Sequence, residues 1–150
     1  MLVLALSLVG CGPPPPDPAK ELVNAAGGSK ENLLRVLAKG ADVNARSWRT
    51  FGWTPLISAI YHRREDNLRV LIGAGADVNL GDRDGRTPVS WAAIVGDTNV
   101  IRILLRAGAN PRITDRSGYD AYNYARTDNA AAIREFLKTG SKRKNRLKPK

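Results

Sequence analysis

The sequence predicts an all-α solenoid of about four stacked helix-pair units, and three observations carry that expectation. Thr54-Pro55-Leu56 returns as Thr87-Pro88-Val89, an offset of 33 residues. Gly40-Ala41-Asp42-Val43-Asn44 returns as Gly75-Ala76-Asp77-Val78-Asn79 and, degraded, as Gly108-Ala109-Asn110-Pro111. In both full units the threonine precedes the next Gly-Ala by 21 residues. A fixed period of this kind marks a chain whose helix pairs cannot bury both faces alone, so that stability comes from stacking on neighbours. At 150 residues, 43% hydrophobic and 25% charged, the chain falls in the globular range and has room for one compact domain or a short array.

Residues 2–9 are apolar, too short for the roughly 20 residues of a membrane-spanning helix and of the length of a signal-peptide core. The run ends in Leu8-Val9-Gly10-Cys11, which resembles the lipobox of bacterial lipoproteins. Attack of a thiolate on a diacylglyceryl donor happens at the membrane surface, so the acceptor must stand where the apolar segment stops. A small residue such as Gly10 leaves a peptidase access to the bond. The resemblance implies a signal peptide over residues 1–10, lipidation of Cys11 and a place in the bacterial cell envelope. In a Gram-negative cell that place is the periplasmic face of the outer membrane. No Lys or Arg precedes the apolar run, a departure from the usual signal peptide. Residues 11–18 continue into Pro13-Pro14-Pro15-Pro16-Asp17-Pro18, where proline excludes helix and central strand and predicts a stiff spacer.

The repeats then occupy residues 19–139. The first unit, 19–44, offers a helix pair at about residues 21–26 and 30–39 without Thr-Pro, as an N-terminal cap would. The second, 49–79, and the third, 82–112, are complete. In each, the threonine hydroxyl can cap the first helix, and the following proline takes the first helical position, where its missing N–H costs nothing. Gly40, Gly75 and Gly108 follow each second helix at a position that tolerates positive φ. Leu68, Leu71 and Ile72, like Val100, Ile103, Leu104 and Leu105, recur with the spacing of a buried helical stripe. The fourth unit, 115–139, keeps Asp115 and Gly118, replaces Thr-Pro with Asp120-Ala121, and ends on Ile133, Phe136 and Leu137, as a C-terminal cap.

Period, dipeptide and helix-ending glycine together resemble the ankyrin repeat. That resemblance implies helix-turn-helix units joined by finger loops, and a partner protein held on the concave face made by fingers and first helices. Two departures stand out. The histidine of the family's T-P-L-H is Ile57 in one unit and Ser90 in the next, so its inter-repeat hydrogen bond is replaced or absent. The finger from Asn44 to Thr54 is two residues longer than that from Asn79 to Thr87 and carries Trp48, Arg49 and Phe51, which predicts that it protrudes.

Aligned on the repeat, Trp53, Arg86 and Tyr119 form one column just before each first helix. Beside them fall Trp48, Phe51, Arg83 and Arg116 on the fingers and Tyr61 and Ile94 on the helices. These nine residues are the candidate partner contacts: Trp, Tyr and Arg dominate binding hot spots, and exposed apolar clusters mark interaction sites. Trp53, at a finger tip, has little to pack on in its own unit. Trp91 takes a position usually filled by an inward leucine and reads as core.

Chemistry finds little support. The single cysteine excludes an intramolecular disulfide, and with the single His62 it cannot build a Cys/His zinc site. Ser58, His62, Glu65 and Asp66 lie near one another in sequence, but a triad also needs an oxyanion site, and a solvated histidine near a helix end is the ordinary case. Gly73-Ala74-Gly75 closes a helix where a nucleotide loop would open one. No catalytic residue, cofactor, metal or small-molecule substrate is expected.

The net charge of +10 is concentrated in a tail at 140–150, where six cations fall in the last nine positions. Such a block reads as disordered and attracts polyanions: anionic lipids or envelope polymers if the chain is exported, nucleic acid if it is cytosolic. The sequence thus supports a membrane-tethered protein-interaction module, with two alternatives: a regulator or inhibitor of an envelope enzyme, and a cytosolic nucleic-acid binder acting through the tail.

Overall fold

A computed structural model describes residues 17, 19–125, 131, 134, 135 and 137–139. The apolar segment, Cys11 and its spacer up to residue 16, Pro18, Ile133, Phe136 and the basic tail lie outside the described residues. Those that are described form helices and fingers, as expected of an all-α solenoid: α1 (Lys20–Gly27), α2 (Lys30–Ala38), a 3-10 turn (Trp48–Thr50), α3 (Pro55–Tyr61), α4 (Glu65–Gly73), α5 (Pro88–Val95), α6 (Thr98–Arg106) and α7 (Ala121–Tyr124).

Local chemistry sets the helix starts. Thr54 Oγ1 accepts the Ile57 N–H at 3.2 Å and Thr87 Oγ1 accepts that of Ser90 at 3.4 Å, each with proline at the first helical position. Asp97 caps α6 and Asp120 caps α7 in a reciprocal box with Asn123. Gly40, Gly75 and Gly108 adopt φ of 81°, 89° and 105°, so the turn after each second helix uses the conformation glycine allows.

The first helices pack in series, α1 on α3, α3 on α5 and α5 on α7, while α2, α4 and α6 pack against their partners behind them. Leu22, Leu33, Leu56, Ile60, Leu68, Leu71, Val89, Ile101 and Leu104 form one continuous buried core. The second-helix stripe is narrower than the sequence suggested. Leu68, Leu71, Val100 and Leu104 are buried, but Ile72, Ile103 and Leu105 are only partly so, and Ile101 is buried in addition. On α6 the inward face is centred on Ile101 and Leu104 because the helix is covered from α5's side.

Polar contacts between units replace those of the missing histidine. Ser58 Oγ donates to the Val23 carbonyl at 2.7 Å, and the buried Asn67 amide donates to Ala26 O and Gly28 O at 2.9 and 3.0 Å. Asn44 Oδ1 accepts the Asp77 N–H and Asn79 Oδ1 accepts the Asn110 N–H, both at 2.7 Å. Ile57 itself is fully buried, and Ser90 Oγ stays 3.2 Å from Thr87 Oγ1 within its own unit. Inter-unit hydrogen bonding is therefore retained through other side chains.

Candidate partner-binding face

Three fingers precede α3, α5 and α7, and the same bonds close each. Ser47 N donates to Trp53 O, Asp82 N to Arg86 O and Asp115 N to Tyr119 O, at 3.0, 3.0 and 2.9 Å. Gly52, Gly85 and Gly118 then return an N–H to Ser47, Asp82 and Asp115. The fingers are also stitched to one another: Arg83 N donates to Phe51 O and Arg116 N to Asp84 O. At Gly52, with φ of 78°, a Cβ would stand 2.8 Å from Arg83 N, so only glycine permits this approach.

Two of the fingers carry their own carboxylate. Asp82 Oδ1 accepts the N–H groups of Asp84 and Arg86, and its Oδ2 accepts Trp91 Nε1–H at 2.9 Å. Asp115 repeats the device: Oδ1 accepts from Ser117 and Tyr119, and Oδ2 accepts from the Tyr124 hydroxyl. The second unit has Ser47 at this place and takes its carboxylate from Asp17, whose Oδ2 accepts Ser47 Oγ–H at 2.5 Å and Arg49 N–H at 3.4 Å.

This network fixes Arg86. Its guanidinium meets Tyr124 Oη at 3.2 Å, Asp84 at 3.0 Å and Asp115 at 3.8 Å. Burial works against the Asp115 charge, but hydrogen bonds from Tyr124, Tyr119 N and Ser117 N, with Arg86 nearby, more than offset it and hold the carboxyl below its ordinary range. Burial and the Asp115 carboxylate push the Tyr124 phenol up.

On the other side of the same column Trp53 is half-buried, its ring centroid 4.7 Å from that of Tyr61 and 5.4 Å from that of Trp91. The expectation that Trp53 has little to pack on is overturned, because α3 and α5 each place an aromatic against it. Trp91 packs against the core as expected, but it is only half-buried and its Nε1 is tied to Asp82. Trp53 joins the helix cluster, while Trp48 (40% exposed) lies under the Arg49 guanidinium at 5.2 Å and Phe51 is 75% exposed. Tyr61 and Tyr119 are half-exposed, Ile94 is half-buried, and Arg83 and Arg116 are exposed.

Next to the ring cluster lies a cleft of about 280 Å³ bordered by α1, the 3-10 turn and α3, with Asn24, Thr50, Trp53 and His62 in its wall. Thr50 Oγ1 is buried there without a hydrogen-bond partner. The imagined hydrolytic set does not assemble: Ser58 Oγ is spent on Val23 O, His62 Nδ1 faces the Ser58 backbone carbonyl, and Glu65 pairs with Arg69 and Asn99. Among the described residues no cluster of His, Cys, Asp or Glu suits a metal ion, and no helix is long and apolar enough to cross a membrane. Sequence reasoning missed Asp17, Asp82, Thr50 and Tyr124. A signal for two of them was present, since Asp82 and Asp115 are 33 apart and each precedes its aromatic partner by nine residues.

Repeating helix pairs, interlocked fingers and a lined face between them define a repeat-scaffold binding protein. A family model for ankyrin repeats, in three copies, matches residues 8–82 and 68–146, and the chain belongs to that family. Ankyrin repeats serve as protein–protein interaction modules. Among its relatives are the "Mitochondrial disaggregase" of Bos taurus, 48% identical over 52 residues, covering 35% of this chain and 7% of that protein, and "Protein PhlB" of Serratia liquefaciens, 46% identical over 61 residues, covering 41% and 26%. A third, "Ankyrin repeat-containing protein P1E11.10" of Schizosaccharomyces pombe, is 33% identical over 67 residues, covering 45% and 31%. The chain spans less than a third of the length of each of these three relatives.

Proposed function

We propose that the chain is a non-catalytic interaction module tethered to the bacterial envelope membrane through a lipidated Cys11, holding an acidic partner protein across its finger and first-helix face. The ring cluster of Trp53, Tyr61 and Trp91 beside the cleft carries this reading. Its rings supply a rigid apolar anchor with little side-chain entropy to lose. Arg83, Arg116 and the exposed Tyr119 extend the face toward the fourth unit and favour a partner of negative charge. Support for the tether comes from the sequence Leu8-Val9-Gly10-Cys11 and the prolines after it.

Affinity capture with the full chain tests the partner reading. Tyr61→Ala, at a half-exposed ring, is expected to release the partner while leaving helicity unchanged; equal capture by wild type and variant counts against this face. Incorporation of labelled palmitate tests the tether. Label in the wild type and none in Cys11→Ser is the expected result.

A further inference from the structure

We propose that the tip of the second unit's finger, residues 48–51, is a membrane-contact element that seats against the anionic bilayer surface to which Cys11 is anchored. The inference rests on the lipid tether proposed above and adds a second point of attachment to it.

Position comes first. Asp17 is bonded to the residues on both sides of Trp48, to Ser47 through its hydroxyl and to Arg49 through its backbone N–H. Asp17, six residues after Cys11 in sequence, is therefore held at the base of this finger. Burial works against the Asp17 charge, but hydrogen bonds from Ser47, Ala19, Arg49 and Lys20 outweigh it and hold the carboxyl below its ordinary range, so the junction persists at neutral pH. Six residue steps separate Asp17 from Cys11, and even fully extended, at about 3.6 Å each, they reach no more than about 22 Å. Asp17 is therefore held within that distance of an anchored Cys11, with the base of the finger bonded to it.

The chemistry of the tip suits such a surface. Phe51 is 75% exposed and Trp48 40%, two exposed apolar side chains on one turn, and Trp is a residue that settles at the level of lipid headgroups. Arg46, Arg49 and Arg83 are exposed around them and complement anionic headgroups. The backbone is fixed in advance: Phe51 holds φ of 56°, Gly52 N donates to Ser47 O, and Arg83 N donates to Phe51 O. The third unit's finger carries Arg83 and the acid Asp84 at the corresponding turn and no aromatic residue. The insertion that brings an aromatic tip thus falls on the one finger that Asp17 ties to the anchor segment.

Brominated lipids test this directly. The full chain, expressed in bacteria with labelled palmitate and reconstituted in vesicles of phosphatidylethanolamine and phosphatidylglycerol with brominated acyl chains, is compared with its Trp48→Phe variant. The wild type is expected to lose up to the share of emission that one of its three tryptophans supplies, and Trp48→Phe to lose none. Replacing phosphatidylglycerol with phosphatidylcholine is expected to reduce the loss. Label without quenching overturns the inference and leaves the tether standing. Quenching that persists in Trp48→Phe places another tryptophan at the bilayer and overturns it as well. Absence of label removes the tether and the inference together. Unquenched Trp48 whose emission shifts on adding a captured partner reassigns the tip to protein contact.

Discussion

In the third and fourth units each finger is closed by a carboxylate from its own turn, Asp82 or Asp115, which gathers two backbone N–H groups on one oxygen and an aromatic side chain of the following helix on the other. In the second unit Ser47 stands at that place and the carboxylate arrives from Asp17, 30 residues upstream. The first arrangement is complete within its repeat. The second makes a finger conditional on the segment that precedes the fold, and in exchange leaves room for two more residues at the tip. One scaffold thus carries self-contained turns in its third and fourth units and, in its second, a turn that answers to Asp17.

The widest separation between the two arrangements comes from Asp115→Ala. This side chain is 2% exposed and serves Ser117, Tyr119, Tyr124 and Arg86, so its loss leaves part-buried donors without their acceptor and removes one of the two carboxylates near the Arg86 guanidinium. A loss of about 3 kcal/mol is expected, read as a lower urea midpoint at unchanged slope. Tyr124→Phe removes only the hydroxyl between Arg86 and Asp115 and is expected to cost about 2 kcal/mol, with Trp91→Phe, which leaves the Oδ1 contacts of Asp82 intact, somewhat less.

Asp17→Ala is expected to cost about 1 kcal/mol or less in global stability. Its effect is instead local: amide exchange at Gly52 and Trp53 accelerates while that at Gly85 and Gly118 is unchanged. In Asp115→Ala the local acceleration is expected at Gly118 and Tyr119, with Gly52 and Gly85 unchanged beyond the global loss.

Acid sharpens the same contrast. Both Asp17 and Asp115 have folded values depressed below the 3.8 of a free aspartate, so the stability they supply is fully present above that value and is lost as pH falls through the lower folded values. Tyr124, raised above 10.0, acts in the other direction, contributing below that value and losing its contribution as pH rises through the folded one. In Asp115→Ala the acid loss is expected to shrink to the part due to Asp17 and the remaining carboxylates.

The fold was legible wherever one residue and its neighbours decide the geometry. Thr54 and Thr87 cap helices, Pro55 and Pro88 open them, and Gly40, Gly75 and Gly108 follow them, all for reasons contained in a few consecutive residues. The face was less legible because its partners meet only after folding. Trp53 looked stranded until α3 and α5 brought Tyr61 and Trp91 to it, and the Nε1 partner of Trp91, Asp82, sits in a finger. The junction of Asp17 with Ser47 has no local signature and no counterpart in the later units, so the period that revealed the repeats gave no sign of it.

The asparagine that ends each Gly-Ala-Asp-Val-Asn segment has a consequence for how such a chain can grow. Asn44 reads a backbone N–H at Asp77, and Asn79 reads one at Asn110, with the same atom and the same 2.7 Å. The joint between neighbours is therefore a standard coupling, indifferent to which two units it connects. A duplicated copy of residues 45–79 inserted after Asn79 would meet a matching asparagine before it and a matching amide after it, while its Ser47 finger would lack the carboxylate that Asp17 supplies to the original.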